Sequence, residues 1–223
     1  MTHLENELQE LKTNLVEMWL LVKSQLTKAR EALKNNDKDL AREVVSVEKR
    51  VNAFELSIDQ DCENMFALFN PVAVDLRLVL AIIKINNNLE RQGDSAKGIA
   101  KFVIDLEGDL DQKLVEQTRL VEMFNENIIM LTELIDAFEK EDGIIARKTF
   151  KRDELLDEIT DNSTKVIAGY IRNNIDNTEQ ALQVLGIIRK LERSGDHSKN
   201  IAEEIIFYLE AKVLKHRAKG KLK

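Results

Sequence analysis

Apolar side chains recur at every third or fourth position along almost the whole chain. Leu4, Leu8, Leu11, Leu15, Met18, Val22, Leu26, Ala29 and Leu33 fall on one helical face. Asn35-Asn36-Asp37 interrupts the pattern and offers an N-cap for a second helix, in which Leu40, Val44, Val47, Val51, Phe54, Ile58, Cys62, Met65 and Leu68 keep the same stepping. Phe69-Asn70-Pro71 ends that helix, and Pro71 is expected in the first turn of the third, where its missing N–H costs nothing. The third helix should reach about Leu106, with a stop and restart at Gly108-Asp109. The second half follows the same plan. One helix is predicted from about Leu110 to Lys140, ending at Glu141-Asp142-Gly143. Another runs from about Ile144 to Arg172 and breaks at Asn173-Asn174-Ile175-Asp176-Asn177, and the last begins near Thr178 and continues towards His216. Six helices of roughly thirty residues, each about 45 Å long at a 1.5 Å rise, joined by short connections, predict antiparallel bundles.

The two halves match in letters as well as in helix lengths. Leu89-Glu90-Arg91-Gln92-Gly93-Asp94-Ser95-Ala96-Lys97-Gly98-Ile99-Ala100 aligns with Leu191-Glu192-Arg193-Ser194-Gly195-Asp196-His197-Ser198-Lys199-Asn200-Ile201-Ala202, identical at 8 of 12 positions with a constant offset of 102. Shared helix propensity does not write Leu-Glu-Arg-x-Gly-Asp twice at corresponding places. The chain is therefore read as all-α, a tandem duplication of a three-helix unit over residues 1–107 and 108–223, with a pseudo-two-fold relation between the halves. Gly93 and Gly195 each cost a helix roughly 1 kcal/mol relative to Ala, and their expected return is close helix approach.

Composition agrees. One Pro and eight Gly in 223 residues cannot supply the turns of a sandwich, barrel or α/β fold, and 43% apolar residues suffice for a core. The net charge of −7 hides an asymmetry: six Lys or Arg and no acid follow from Lys212 onward, so residues 1–211 carry 27 positive and 40 negative groups. An acidic body argues against a nucleic-acid surface, which needs clustered positive charge. The basic tail reads as a solvated end. Cys62, at an apolar helical position, reads as a buried structural thiol. Met1-Thr2-His3-Leu4-Glu5 lacks the shape of a signal peptide, and the apolar run Leu78–Ile83 is far too short to span a bilayer, so a soluble, cytoplasmic protein is expected.

The candidate chemistry lies in acidic pairs. Glu90 and Asp94 stand one turn apart on one helical face, as do Glu192 and Asp196. Asp153 and Asp157 repeat the spacing on the preceding helix of the second half, and their first-half counterparts are Glu48 and Asn52. Leu76, Leu80, Ile83, Asn87, Glu90 and Asp94 form one stripe, matched by Ala181, Leu185, Ile188, Glu192 and Asp196, so an apolar seam is expected to turn acidic midway, while a second seam of Leu89, Ala96, Ile99 and Val103 stays apolar beside it. Clustered carboxylates repel and raise each other's pKa unless a cation compensates them. Oxygen-only sets suit Mg²⁺, Mn²⁺, Ca²⁺ and iron. The plainer reading is a solvated face, with Arg91, Lys97, Arg193 and Lys199 pairing the acids. None of His3, His197 and His216 follows a Glu by three, which argues against a ferritin-like di-iron centre, and His197 reads as a hydrogen-bonded surface histidine. No phosphate loop, Cys–His pairing or serine elbow nominates a nucleophile.

The Asn70-Pro71-Val72-Ala73-Val74-Asp75-Leu76-Arg77 segment, the two Leu-Glu-Arg-x-Gly-Asp segments, Arg152-Asp153-Glu154-Leu155-Leu156-Asp157 and Gly195-Asp196-His197-Ser198-Lys199-Asn200-Ile201-Ala202-Glu203 together resemble the PhoU family of phosphate-specific transport system accessory proteins. The resemblance covers nearly the whole chain in order and repeat phase. It implies two three-helix bundles side by side and multinuclear metal clusters (Fe, Mn, Mg or Zn) on each bundle. The metal motifs map onto Glu48, Glu90 and Asp94, and onto Asp153, Asp157, Glu192 and Asp196; Asn52 departs from the expected Asp and should weaken the first site. The resemblance also implies a non-enzymatic, often dimeric, negative regulator of phosphate uptake. Such a regulator bridges the ATPase subunit of a phosphate ABC transporter and a sensor histidine kinase, and meets the membrane only through those partners. A metal-dependent phosphohydrolase built on paired carboxylates is the competing class.

Overall fold

The computed structural model describes residues 2–214. The basic stretch beyond Leu214, His216 included, lies outside the described residues. Among those described, the chain forms seven α-helices: α1 (His3–Asn35), α2 (Lys38–Phe69), α3 (Ala73–Asp105), α4 (Gln112–Gln117), α5 (Leu120–Glu139), α6 (Gly143–Asn173) and α7 (Thr178–Glu210), with a 3₁₀ turn at Ile175–Asn177. The expected breaks hold for local reasons. Asp37 caps α2 by accepting from the Leu40 N–H at 2.9 Å, and Asn36 and Asn70 take left-handed conformations (φ 48° and 45°) that end α1 and α2. Asp142 caps α6 by accepting from Ile144 and Ile145 N–H at 2.7 and 3.3 Å.

Four expectations need correction. The fourth helix is two: at Thr118 the hydroxyl donates to the Leu114 carbonyl at 2.7 Å, and Arg119 turns left-handed (φ 54°), gripped by Glu122 at 2.6 and 2.8 Å and by Glu158 at 3.1 Å. Neither Gly nor Pro marks that break, so periodicity ran straight across it. Pro71 precedes the N-cap, Val72, and so stands outside the first turn of α3. The last helix stops at Glu210, where Ala211 turns left-handed (φ 54°). Finally, the stripe through Leu76 and Leu80 is not a core seam, since these are 36% and 37% exposed; the core face of α3 is the second expected seam, Leu89, Ala96, Ile99 and Val103, extended by Leu78, Ile82 and Ile85.

Helices α1, α2 and α3 pack on one another, as do α5, α6 and α7, and the two bundles join chiefly through α3 against α7, with α1 against α5 beside it. The join is antiparallel. Arg77 early in α3 donates to the Tyr208 carbonyl late in α7 (3.2 Å), Lys84 pairs with buried Glu204 (3.0 Å), and Phe102 late in α3 lies against Gly186 early in α7. At the middle Gln92 donates to the Ser194 carbonyl (2.9 Å) and to the Ser198 hydroxyl (2.7 Å). Gln92 and Ser194 are the same position of the duplicated motif, so the pseudo-two-fold axis passes where equivalent residues meet. The apolar core is continuous across both bundles: Trp19 of the first meets Phe138 of the second in a tilted contact (centroids 6.1 Å apart), and Phe138 in turn meets Tyr208 edge-on at 6.0 Å. Cys62 is fully buried within it, which pushes its thiol pKa up to about 12, as an inert structural thiol requires.

Candidate metal-binding acidic sets

Each bundle presents one acidic set, built from its last two helices. In the first bundle, α2 contributes Glu48 and Asn52, and α3 contributes Glu90, Asp94 and Lys97. The Lys97 ammonium lies 2.7 Å from Glu48 Oε1 and 3.7 Å from Asp94 Oδ1. Asn52 donates its amide to Glu48 Oε1 at 2.9 Å, so the residue that departs from the repeat pattern relieves repulsion where a second acid would add it. In the second bundle, α6 contributes Asp153 and Asp157, and α7 contributes Glu192, Asp196 and Lys199. The Lys199 ammonium lies 2.8 Å from Asp153 Oδ2 and 3.9 Å from Asp196 Oδ1. Lys97 and Lys199 are again the same position of the duplicated motif.

Gly195 explains how Asp153 comes to be buried. A Cβ at Gly195 would overlap Leu156 Cδ1 and stand 3.5 Å from Asp153 Oδ1, so the bare backbone lets α6 close on α7 at the site. Asp153 is 4% exposed as a result. At Gly93 a Cβ would meet Gln25 Oε1 at 3.2 Å and Val51 Cγ1 at 3.3 Å, a tight fit without overlap. Both glycines therefore serve the close approach expected of them.

Electrostatics ties the acids together. Burial, and then the neighbouring Asp94 and Glu55 charges, raise the pKa of Glu90; burial and then Asp196, Asp157 and Asp153 raise that of Glu192. Glu192 thus feels the other three acids of its set, and Asp153 feels Asp157 and Asp196. In the first bundle the structure adds Glu55, whose own pKa is raised by burial and then by Asp59 and Asp94. Sequence reasoning missed Glu55 because it sought an acid at Asn52; the signal was the four-then-three spacing of Glu48, Asn52 and Glu55 on one face of α2.

By donor type and uncompensated negative charge both sets fit a hard cation. Among the described residues, however, no three His, Cys, Asp or Glu side chains stand ready to hold a metal ion as they are; the lysine ammonium lies among the carboxylates of each set. His197 faces the join: its Nδ1 lies 2.9 Å from Asn88 Oδ1, which also accepts from Asn200 at 3.3 Å. It belongs to the packing of α7 on α3.

The fold and these sets define a class: two fused three-helix bundles, related by a pseudo-two-fold axis and each carrying an acidic face. The chain belongs to the PhoU family, whose PhoU domain matches residues 15–103 and 120–205. It is 33% identical over 210 residues to the phosphate-specific transport system accessory protein PhoU of Edwardsiella tarda, covering 94% of this chain and 86% of that one. It is 31% identical over 219 residues to PhoU homolog 1 of Thermotoga maritima, covering 98% and 94%. Its fold superposes on the crystal structure of PhoU from Pseudomonas aeruginosa with a TM-score of 0.88 at 31% identity over 93% of this chain and 99% of that one. The match to the phosphate transport system regulatory protein PhoU of Streptococcus pneumoniae has a TM-score of 0.85 at 30% identity over 95% and 99%. These relatives are named as accessory and regulatory proteins. No described helix is long and apolar enough to cross a membrane.

Proposed function

We propose that this chain is a cytoplasmic, non-enzymatic regulator of phosphate uptake and phosphate-starvation signalling. It works as a homodimeric helical adaptor that touches the ATPase subunit of a phosphate ABC transporter and the cytoplasmic part of a sensor histidine kinase. The observation that carries this reading is the duplicated scaffold itself: a rigid, continuous core with equivalent acidic faces on its two halves, in a chain similar to transport-system accessory proteins along nearly its full length. In the same reading, Glu48, Glu90 and Asp94 hold a divalent or iron cation on the first bundle, and Asp153, Asp157, Glu192 and Asp196 hold one on the second. Glu55 joins the first set. A bound cation supplies charge neutralisation, and with it a switch between an acidic and a near-neutral face, which is the property a partner surface can read. Co-purification of the full chain with the transporter ATPase subunit and with the kinase's cytoplasmic region, in EDTA and in Mn²⁺, tests the reading. Retention of at least one partner in at least one condition is the expected result; loss of both partners with and without metal overturns it.

A further inference from the structure

The feature that this functional reading does not absorb is the pair of lysines. Lys97 and Lys199 occupy equivalent positions of the repeat, and each reaches from its own helix to a carboxylate of the neighbouring helix (Glu48 at 2.7 Å, Asp153 at 2.8 Å) while remaining near the aspartate one turn before it (Asp94 at 3.7 Å, Asp196 at 3.9 Å). Both copies of the duplicated motif keep this lysine and its geometry although neighbouring positions such as Ser95/His197 and Gly98/Asn200 have diverged, which is not what incidental surface pairing gives. An ammonium is a compact point charge with three donors, so it can bond several oxygens at once, much as a hard cation does. It is also tethered to a flexible stem: the side chains of Lys97 and Lys199 are 25% and 32% exposed, which leaves each a route to water.

We infer that Lys97 and Lys199 are the resident counter-cations of the two acidic sets, and that each must give up its carboxylates before a divalent cation can enter. The inference rests on the reading of these sets as metal sites. The same oxygens cannot serve both cations. A retained positive charge about 4 Å from a divalent ion repels it by more than a tenfold change in affinity at the effective dielectric of a partly exposed site. The lysines therefore set the cation concentration at which each bundle responds, holding it above what the carboxylates alone would give. They also keep the buried Asp153 compensated when no metal is present.

The test is Mn²⁺ titration of the full-length chain, stripped with EDTA and dialysed, with free Mn²⁺ followed by electron paramagnetic resonance and folding checked by circular dichroism. Lys97→Met and Lys199→Met keep the stem and remove the charge; Lys199→Arg keeps the charge. The expected result is Mn²⁺ affinity at least tenfold higher in each Met variant, with Lys199→Arg no tighter than the parent. Thermal stability gives a second readout: Lys199→Met should lose midpoint temperature in EDTA and regain more of it than the parent when Mn²⁺ is added. Should Lys199→Met fail to fold because Asp153 is stranded, Lys97→Met carries the test alone, since Glu48 is less deeply buried. If the parent binds Mn²⁺ and the Met variants bind it no more tightly, the counter-cation inference is overturned while the metal reading stands. If neither parent nor variants bind Mn²⁺, both are overturned.

Discussion

The two acidic sets use the same contact and obtain opposite results from it. In the first bundle the hydrogen bond from Lys97 outweighs burial and holds the Glu48 carboxyl below its usual pKa; in the second, burial outweighs the equivalent hydrogen bond from Lys199 and raises the pKa of Asp153. The N–O distances, 2.7 and 2.8 Å, do not distinguish them. What differs is water: the carboxyl side chain of Glu48 is 14% exposed and that of Asp153 5%. An ammonium beside a carboxylate is stabilising only to the extent that its attraction exceeds the cost of taking both charges out of water. Duplication preserved the pairing, which favours the charged carboxylate in both sets and raises the pKa of Lys199 itself; deeper burial at the helix contact reversed only the net shift of the carboxyl.

The helix contact itself is the largest difference to test. Gly195→Ala forces a methyl into Leu156 Cδ1, so the overpacking cost exceeds the helical gain of about 1 kcal/mol from replacing glycine. The expected net loss is about 1–3 kcal/mol, read as a lower urea midpoint in EDTA. At Gly93 the facing atoms are Gln25 Oε1 at 3.2 Å and Val51 Cγ1 at 3.3 Å, which need give only a few tenths of an ångström, so Gly93→Ala should cost clearly less than Gly195→Ala, within about 1 kcal/mol of the parent. Equal losses at both positions would mean that the closer approach of α6 to α7 is not what buries Asp153.

Metal binding should separate the sets next. Asp157→Asn removes one of the four carboxylates of the set, one whose charge acts on Glu192 and Asp153, and affinity in oxygen sites follows the count of charged ligands. The expected loss in Mn²⁺ affinity at the second set is on the order of tenfold. Asn52→Asp adds a carboxylate to the first set but also deletes the amide that donates to Glu48, so its gain should be smaller. Glu55→Gln should cancel part of that gain. Unchanged binding in all three variants would leave the acids as a solvated face.

The fold was legible because long helices repeat their apolar pattern many times, and each repetition confirms the last. The metal candidates were legible by duplication: a second copy at a fixed offset turned common i, i+4 acids into a pattern. The break at Thr118 was not, since it depends on a hydroxyl taking a carbonyl and on Arg119 being gripped by Glu158 of another helix. Glu55 was hidden for a related reason, its place in the set being fixed by α3 rather than by its own neighbours in sequence. Lys97 and Lys199 were visible as partners for the acids, but nothing in the letters said that they would reach across to the adjacent helix.

Neutralising the paired acids should reveal the reversal directly, in EDTA. At neutral pH the charged form of Glu48 is favoured by folding, so Glu48→Gln should cost about 0.5–1 kcal/mol, the range for a partly exposed pair. The charged form of Asp153 is disfavoured by folding, so Asp153→Asn, which keeps an oxygen acceptor for Lys199, should leave stability unchanged or raise it slightly. A larger loss for Asp153→Asn than for Glu48→Gln, read from urea midpoints, would reverse the assignment of which effect dominates.

The smallest expected difference lies at the bundle ends. Arg147 at the start of α6 grips Glu210 at the end of α7 through two parallel hydrogen bonds of 2.6 and 2.9 Å, which, aided by Lys212, hold the Glu210 pKa down to about 2. The matching places of the first bundle are Arg42, paired with Asp39 on its own helix, and Gly108, so among the described residues no ion pair straps it there, and Lys38 ties α2 to the chain just past α3 through the neutral Leu106 carbonyl at 2.9 Å. A carboxyl whose pKa is depressed by folding binds fewer protons in the folded state. Its contribution is therefore complete above the unfolded value of about 4.3 and disappears as pH falls towards 2. Because Glu210 and Arg147 are both partly exposed, solvent screens the pair and the contribution should stay below about 1 kcal/mol. Glu210→Gln should accordingly lower the melting midpoint slightly at pH 6 and progressively less as pH falls through about 2, narrowing the gap to the parent on the acid limb. Asp39→Asn, which breaks only a pair within one helix, should leave the same limb parallel to that of the parent. If the two variants trace the same acid limb, the strap between α6 and α7 contributes nothing beyond an ordinary surface pair.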